Sequence, residues 1–252
     1  MSISLDSTAF CRFAARRPHE IRLPAATACR SKQARRKMGD EESIAKGSSI
    51  MTNTLQTKTL AAAIQERRSI RKLSHSPAIS REKVEEIVQL ALNAPSAFNM
   101  QSGRVVVLMG ENHEKLWDIV KETLRPLVPA DAFGDTEARL EGFRNGAGTV
   151  LFFENQATVE KYQEMAPLYK DQFPGWSLQG SGMLQYAVWL SLSAQGLGAS
   201  LQHYNPLIDE QVKQQWDIPG DWTLTAQIPF GRPEESPAKR TFLPYEEVVK
   251  WH

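Results

Sequence analysis

Arg67-Arg68-Ser69-Ile70-Arg71 places three guanidinium groups and a hydroxyl within five residues at the end of a helical pattern. Guanidinium forks and hydroxyls donate several charge-assisted hydrogen bonds in fixed directions, which is the chemistry that holds a phosphate. About one helix later comes Asn93-Ala94-Pro95-Ser96-Ala97-Phe98-Asn99-Met100-Gln101-Ser102, a turn made mostly of short hydrogen-bonding side chains. Amides and hydroxyls suit a flat heterocycle that carries both donors and acceptors. Together the two segments point to a phosphorylated aromatic cofactor, and flavin mononucleotide (FMN) fits best.

Each signal has a plainer explanation when taken alone. Basic residues at a helix C-terminus interact well with the helix dipole, and a polar turn between helix and strand is ordinary. The chain has no GxGxxG and no GxxxxGK[ST] element. Phosphate capture must therefore rest on side chains, which disfavours a dinucleotide-type Rossmann site and a P-loop. A third element, Leu201-Gln202-His203-Tyr204-Asn205-Pro206, sits at the end of an expected strand, where ligand sites in layered folds lie. A lone histidine is usually structural, but His203 stands among Gln, Tyr and Asn. A fourth, Pro237-Ala238-Lys239-Arg240, follows the last strand and by itself reads as a solvated charged loop. Metal is not supported, because the five histidines are scattered without ligand spacing. Gly180-Ser181-Gly182 lies inside a helical pattern and is no nucleophile elbow.

The elements that must position these residues follow from periodicity. Thr59 can cap a helix with Leu60, Ala63 and Ile64 inward. Ser80 caps a second, in which Val84, Ile87, Val88, Ala91 and Leu92 form an apolar stripe, stopped by Asn93 and Pro95. Arg104–Met109 reads as a buried strand between two glycines, followed by a helix over His113–Leu127. Thr149–Phe153 is a second apolar strand. Leu178–Ala194 is the longest helical pattern, closed by Gly196 and Gly198. Ala199–Tyr204 reads as strand, Pro206–Trp216 as helix and Trp222–Phe230 as strand. Strands alternating with helices give an α/β or α+β layer architecture, with helices covering a sheet of about four or five strands.

Composition bounds the function. The 252 residues are 41% hydrophobic and 23% charged, ordinary for a globular protein with a real core. No apolar run approaches about eighteen residues, so no membrane span is expected. Residues 1–38 carry nine Lys or Arg against Asp6 and Glu20, a balance of +7, while the whole chain is +1; the rest is therefore −6. A mildly acidic body argues against nucleic acid as partner. Both cysteines, Cys11 and Cys29, fall in the basic start, so cysteine chemistry is absent from the body. Residues 1–50 are expected to be a basic, disordered extension or translation from a start upstream of Met51. An organelle transit peptide and a nucleic-acid-binding arm are the alternatives. Residues 55–252 are expected to be one domain.

The strings RRSIRKL, APSAFNMQSG, LFFE and GMLQYAVWLSLSAQGLGASLQHYNPLID resemble the nitroreductase family, and within it the branch related to the fatty-acid-repression-mutant protein. The likeness spans about residues 55 to 252. It implies an α+β nitroreductase-like fold, a central sheet flanked by helices in an intertwined homodimer, with FMN at sites built from both subunits. Carried over by motif, Arg67, Arg68, Ser69 and Arg71 match the segment holding the FMN phosphate and ribityl chain. Ser96, Asn99 and Gln101 match the turn reaching the flavin from the partner subunit. His203 and Tyr204 match the strand-end pair beside the flavin N5, where other branches have Glu-Gly. Lys239 and Arg240 match a basic pair near the phosphate. Ser102-Gly103 stands where the wider family has Pro-Trp, which reshapes the pocket.

The resemblance implies an oxidoreductase that takes hydride from NADH or NADPH and reduces a nitroaromatic, quinone or similar small acceptor by a ping-pong route. His203 is the side chain to move a proton if any does. A flavin-binding regulatory or redox-sensing protein with little turnover is the alternative, and a flavin-free interaction module a third. The cytoplasm is the expected compartment, or the mitochondrion if residues 1–50 are a transit peptide.

Overall fold

A computed structural model describes residues 57–237 and 239–252, so the expected basic extension over 1–50 lies outside the described residues. At the centre is β3 (Gly148–Asn155), whose eight residues are all buried. Side chains alternate along a strand, so a strand covered on both faces must be apolar at consecutive positions. Val150 and Phe152 face α2 (Arg81–Ala91) and α6 (Phe173–Ala194). Leu151 and Phe153 face α3 (Glu111–Leu124), α4 (Phe133–Arg144) and α7 (Asp209–Gln215). The result is an α+β fold in which two helical layers sandwich one antiparallel sheet.

The sheet has five strands in the order β1 (Leu73–Ser74), β5 (Trp222–Pro233), β3 and β2 (Gly103–Met109), with the short β4 (Gly198–Ala199) also paired to β5. Thr59 caps α1 (Leu60–Glu66) by accepting from Ala62 N at 3.3 Å, and Ser80 caps α2 by accepting from Lys83 N at 3.2 Å. These bonds satisfy backbone donors that the first helical turn leaves free. The C-terminus of α6 closes at Gly196, whose φ of +76° suits glycine, and Leu197 N donates back to Leu192 O at 3.0 Å. Gly198, expected as a second cap, instead belongs to β4, where an added Cβ would press Ile70 and Leu73 at 3.0 Å. No helix among the described residues is long and apolar enough to cross a membrane.

Several local expectations are corrected. β2 is an edge strand with one neighbour, and of its residues only Leu108 is buried. The strand expected over Ala199–Tyr204 ends after Ala199. Opposite Ser200 stands Pro229, which accepts from Ser200 N at 3.4 Å but has no N–H to return, so the ladder breaks there. It resumes only as a bridge between Gln202 and Gln227. In α1 only Ala63 is buried, while Leu60 and Ile64 are exposed. Leu92 follows α2 as its C-terminal cap and is also exposed.

His113, one of the scattered histidines, is buried between the sheet and α4. Its Nδ1 lies 2.8 Å from Thr149 Oγ1 and its Nε2 lies 3.1 Å from Arg144 O. A carbonyl can only accept, so Nε2 carries the hydrogen. The Thr149 hydroxyl accepts from Trp117 Nε1 at 3.1 Å and donates to Nδ1, which fixes a neutral ring. Burial pushes the imidazole pKa from 6.5 down to about 4. The unfolded chain thus takes a proton near 6.5 that the native chain refuses until about 4. The contribution of the neutral ring is fully present above 6.5 and is lost as pH falls through that window, for a total of about 3 kcal/mol. Urea unfolding of His113→Gln should show lower stability at neutral pH but a clearly shallower loss between pH 6.5 and 4 than the parent. Parallel acid slopes would show that another group causes the loss.

Candidate functional site

After α1 the chain leaves the helix at Arg67 and is stitched to β4, with Ser69 bridging Ala199 and Ile70 N donating to Ala199 O at 3.0 Å. Ile70 is buried while Ser69 and Arg71 on either side are exposed, so the alternation turns the polar side chains outward. Glu235 Oε1 accepts from Arg71 N at 2.6 Å and Lys72 N at 3.3 Å, holding the backbone without pairing to the guanidinium. On the other side Gly142 of α4 meets this segment so closely that a Cβ would lie 2.5 Å from Arg71 O.

Arg67 lies over the Trp189 ring of α6 at 4.1 Å, a cation–π contact. Arg240 reaches the same place and donates from Nη2 to Arg67 O at 2.7 Å. Burial, then the positive charges of Arg240 and Arg68, push the Arg67 pKa down. None of Arg67, Arg68, Arg71 and Arg240 is in an ion pair among the described residues, although ion pairs occur elsewhere on the chain. Guanidinium groups clustered without a carboxylate partner favour an anionic ligand, and the contacts bring Arg67, Arg68 and Arg240 together, whereas Arg71 acts on Tyr204. Arg68 is different, because its Nη1 folds back onto Gln65 O and Arg67 O at 2.8 and 2.9 Å and so serves the helix end. Lys239 is exposed beside Arg240.

The strand-end pair adjoins this cluster. Tyr204 packs edge-on against Trp117 with ring centroids 5.8 Å apart. Burial pushes its phenol pKa up, and the charges of Arg139 and Arg71 partly offset that. His203 is exposed. The pair is held by Gln227 of β5, which is fully buried and was missed in the sequence. Gln227 Oε1 accepts from Tyr204 N at 2.8 Å and its Nε2 donates to Asn205 Oδ1 at 3.2 Å. A glutamine in the otherwise apolar run Ala226-Gln227-Ile228 was the available signal.

The polar turn is a separate body of structure. A short 3-10 helix, Ala97–Asn99, contains Phe98 at φ +55° and Asn99 at +53°, and Gln101 follows at +49°. Left-handed backbone at non-glycine residues persists only where surrounding contacts impose it. Here Ser96 Oγ accepts from Gln101 N at 2.9 Å, and Met100 is buried against Val159 of α5 (Gln156–Met165) and Phe173. Arg104, also missed, donates from Nη1 to Gln101 O at 2.7 Å and Gly103 O at 3.0 Å. Asn99 and Gln101 present exposed side chains. In one chain this turn does not meet the Arg cluster. The turn approaches α6 at Gly180, where an added Cβ would lie 3.5 Å from Ser96 Cβ, whereas Arg67 touches α6 at Trp189. Nine residues of helix, about 13 Å of axial rise, separate the two points.

Residues 64–232 match the model of the nitroreductase family. The chain belongs to the nitroreductase family. It is 34% identical to the nitroreductase FRM2 of Saccharomyces cerevisiae over 185 residues, 72% of this chain and 91% of FRM2. It also superposes on the nitroreductase CinD of Lactococcus lactis, solved in complex with chloramphenicol, at 40% identity and a TM-score of 0.70, covering 77% of this chain and all of CinD. A nitroreductase from Desulfitobacterium hafniense with bound FMN shares the fold at 17% identity and a TM-score of 0.58, over 77% of this chain and 97% of that one. For this nitroreductase-family chain, Gln227→Leu keeps the approximate volume but leaves Tyr204 N–H and Asn205 Oδ1 unpartnered. It should cost about 1–3 kcal/mol in denaturant unfolding and speed amide exchange at Tyr204. Unchanged exchange there would show that Gln227 does not hold the pair.

Proposed function

We propose that the protein is an FMN-dependent oxidoreductase that uses NADH or NADPH to reduce a small acceptor such as a nitroaromatic or a quinone. The observation that carries this is the Arg cluster, whose guanidinium groups have no carboxylate partner among the described residues and already repel one another. A phosphate monoester carries roughly −1.5 to −2 charge at neutral pH, which would turn that repulsion into attraction. Arg67, Arg71, Lys239 and Arg240 would hold the phosphate, with the exposed Ser69 hydroxyl beside them. His203 and Tyr204 would flank the ring. Arg139, which acts on Tyr204, adds positive charge on that side.

Bound FMN would supply the hydride chemistry, with the nicotinamide leaving before the acceptor enters, and the protein would supply position and charge. The half-buried Tyr204 phenol stays neutral and would form one wall. The exposed His203 imidazole would be the side chain to give a proton to an acceptor. Ser96, Asn99 and Gln101 would come from a second copy of the chain. Apolar side chains left uncovered on α6 (Leu178, Met183, Tyr186) and near the C-terminus (Phe242, Leu243, Trp251) support a homodimer. A flavin-binding sensor with little turnover is the second reading, favoured by Ser102-Gly103 where the wider family has Pro-Trp.

The purified protein should show the visible bands of a bound flavin and should oxidise NADH or NADPH briskly when a nitroaromatic is added. Bound flavin without turnover would favour the sensor, and a colourless protein that FMN does not titrate would exclude both. Arg67→Ala together with Arg71→Ala should weaken FMN by about 3 kcal/mol or more, roughly a hundredfold. A double variant that purifies fully yellow would refute the phosphate assignment.

A further inference from the structure

Beneath the polar turn, on the face of the sheet that packs against α6, the core is unexpectedly polar. Ser102, Glu154, Ser177, Ser181 and Gln185 are all buried there. Most satisfy one another. The ladder between β3 and β5 slips between Phe152 and Phe153, leaving Thr225 as an extra residue. Its hydroxyl donates to Phe152 O at 3.1 Å and lies 3.2 Å from Ser181 Oγ, which accepts from Gln185 Nε2 at 3.1 Å. Ser177 donates to Pro174 O at 3.0 Å.

Glu154 is the exception. It is 1% exposed, and among the described residues no donor stands in full hydrogen-bond geometry to either carboxyl oxygen, although three serine hydroxyls are near enough to act on it. Among the described residues Arg104 of β2 is the one charged side chain acting on it, and that guanidinium is committed to the carbonyls of Gln101 and Gly103. From the turn and from α6 only hydroxyls face it, those of Ser102, Ser177 and Ser181. Between the carboxyl and the turn lies a cavity of about 260 Å³, lined by Glu154 with Ser96, Gln101, Ser102, Arg104 and Gly180. That space accommodates water, and the walls offer the several polar partners that buried water requires. A buried carboxyl without partners is costly to keep, so one aimed into a cavity shared with a strained turn has a task to perform there.

We propose that Glu154 is a positioning residue for the polar turn, a buried carboxyl that bonds through water in this cavity to the turn and fixes the left-handed run at Phe98, Asn99 and Gln101. An uncharged carboxyl can donate as well as accept, whereas a carboxylate can only accept. Burial pushes the Glu154 pKa up, against the smaller opposite effects of the three hydroxyls and Arg104. The neutral form therefore supports the turn fully below the ordinary glutamate pKa, and its contribution is lost as pH rises through the raised value. The functional consequence rests on the FMN reading; the structural one does not.

The test compares the full-length chain with Glu154→Gln and Glu154→Leu. Amide exchange over residues 96–103 and FMN affinity would be followed as the pH is raised from the ordinary glutamate range into the alkaline range. Glutamine keeps the shape and a donor without a charge. It should hold FMN within about threefold of the parent, and the leucine variant should weaken FMN about tenfold or more. The parent should lose turn protection towards high pH beyond the intrinsic rise in exchange, while the glutamine variant should not. A leucine variant with parental turn protection, or a glutamine variant with the parental pH profile, would overturn the proposal. If the leucine variant does not fold, the comparison of parent and glutamine variant decides alone. A parent that binds no FMN but shows the expected exchange pattern would sink the flavin reading and leave Glu154 in its role.

Discussion

One edge of β5 carries the segment that bears Arg67 to Arg71 and the strand-end pair of the candidate site. Along that edge Pro233 and Arg232 pair with Leu73 and Ser74, Gly231 and Phe230 with Gly198 and Ala199, and Gln227 with Gln202. The segment of Ser69 is attached to the same edge at second hand, through Ala199. The Arg cluster, the strand-end pair and the support of both are thus set by backbone bonds to a single strand. The tightest point is Gly231, where a Cβ would lie 2.6 Å from Ser74 O and 3.0 Å from Ala147 N. A side chain there would have to displace β1 or the start of β3, and with β1 the arginines that precede it.

That rigid frame explains how the chain tolerates like charges at close range. Arginine does not escape repulsion by losing its proton, so the energy must be met by other contacts. Two are present at Arg67: the Trp189 face beneath the guanidinium, and the Arg67 carbonyl, which accepts from Arg240 and so draws the second cation into place. Within the proposed function, repulsion held in this way would be released by a bound dianion. Such a ligand would raise the stability of the folded chain through its preference for the folded form. The same logic separates Arg68 from its neighbours, since its side chain is already satisfied by helix-end carbonyls.

Much of this was legible in the sequence, for identifiable reasons. Capping residues announce themselves locally, and Thr59 and Ser80 do what their types dictate. The central strand was visible because burial on both faces demands an uninterrupted apolar run. What failed depended on neighbours. The run Val105-Val106-Val107-Leu108 looks like a central strand but lies at the sheet edge, and nothing within it reveals how many strands flank it. The end of β4 was set by Pro229, about thirty residues away in sequence and opposite only after folding. Helix α4 escaped notice because its buried residues, Phe133, Leu140 and Phe143, are too sparse to make a period. Glu154 and Gln227 were in plain view as polar residues in apolar runs. Their partners come from other elements, so their purpose appears only in three dimensions.

The separation of the two half-sites along α6 bears on how the site closes. A turn that merely lay on the surface could swing towards the Arg cluster. This one is fixed from three sides: Met100 is buried with Phe173, Arg104 grips its carbonyls, and Phe98 stacks on Trp176 with centroids 5.9 Å apart. Its left-handed residues would relax if those contacts were given up, so the strain itself shows that the contacts dominate. A rigid α6 between two anchored half-sites leaves no internal motion that unites them short of local unfolding. Within the proposed function, the complete site therefore requires two chains, each lending its turn to the arginines of the other. The apolar side chains of α6 that one chain leaves in water lie on the same helix that separates the halves, so the surface that would join two copies and the geometry that requires them have one structural origin.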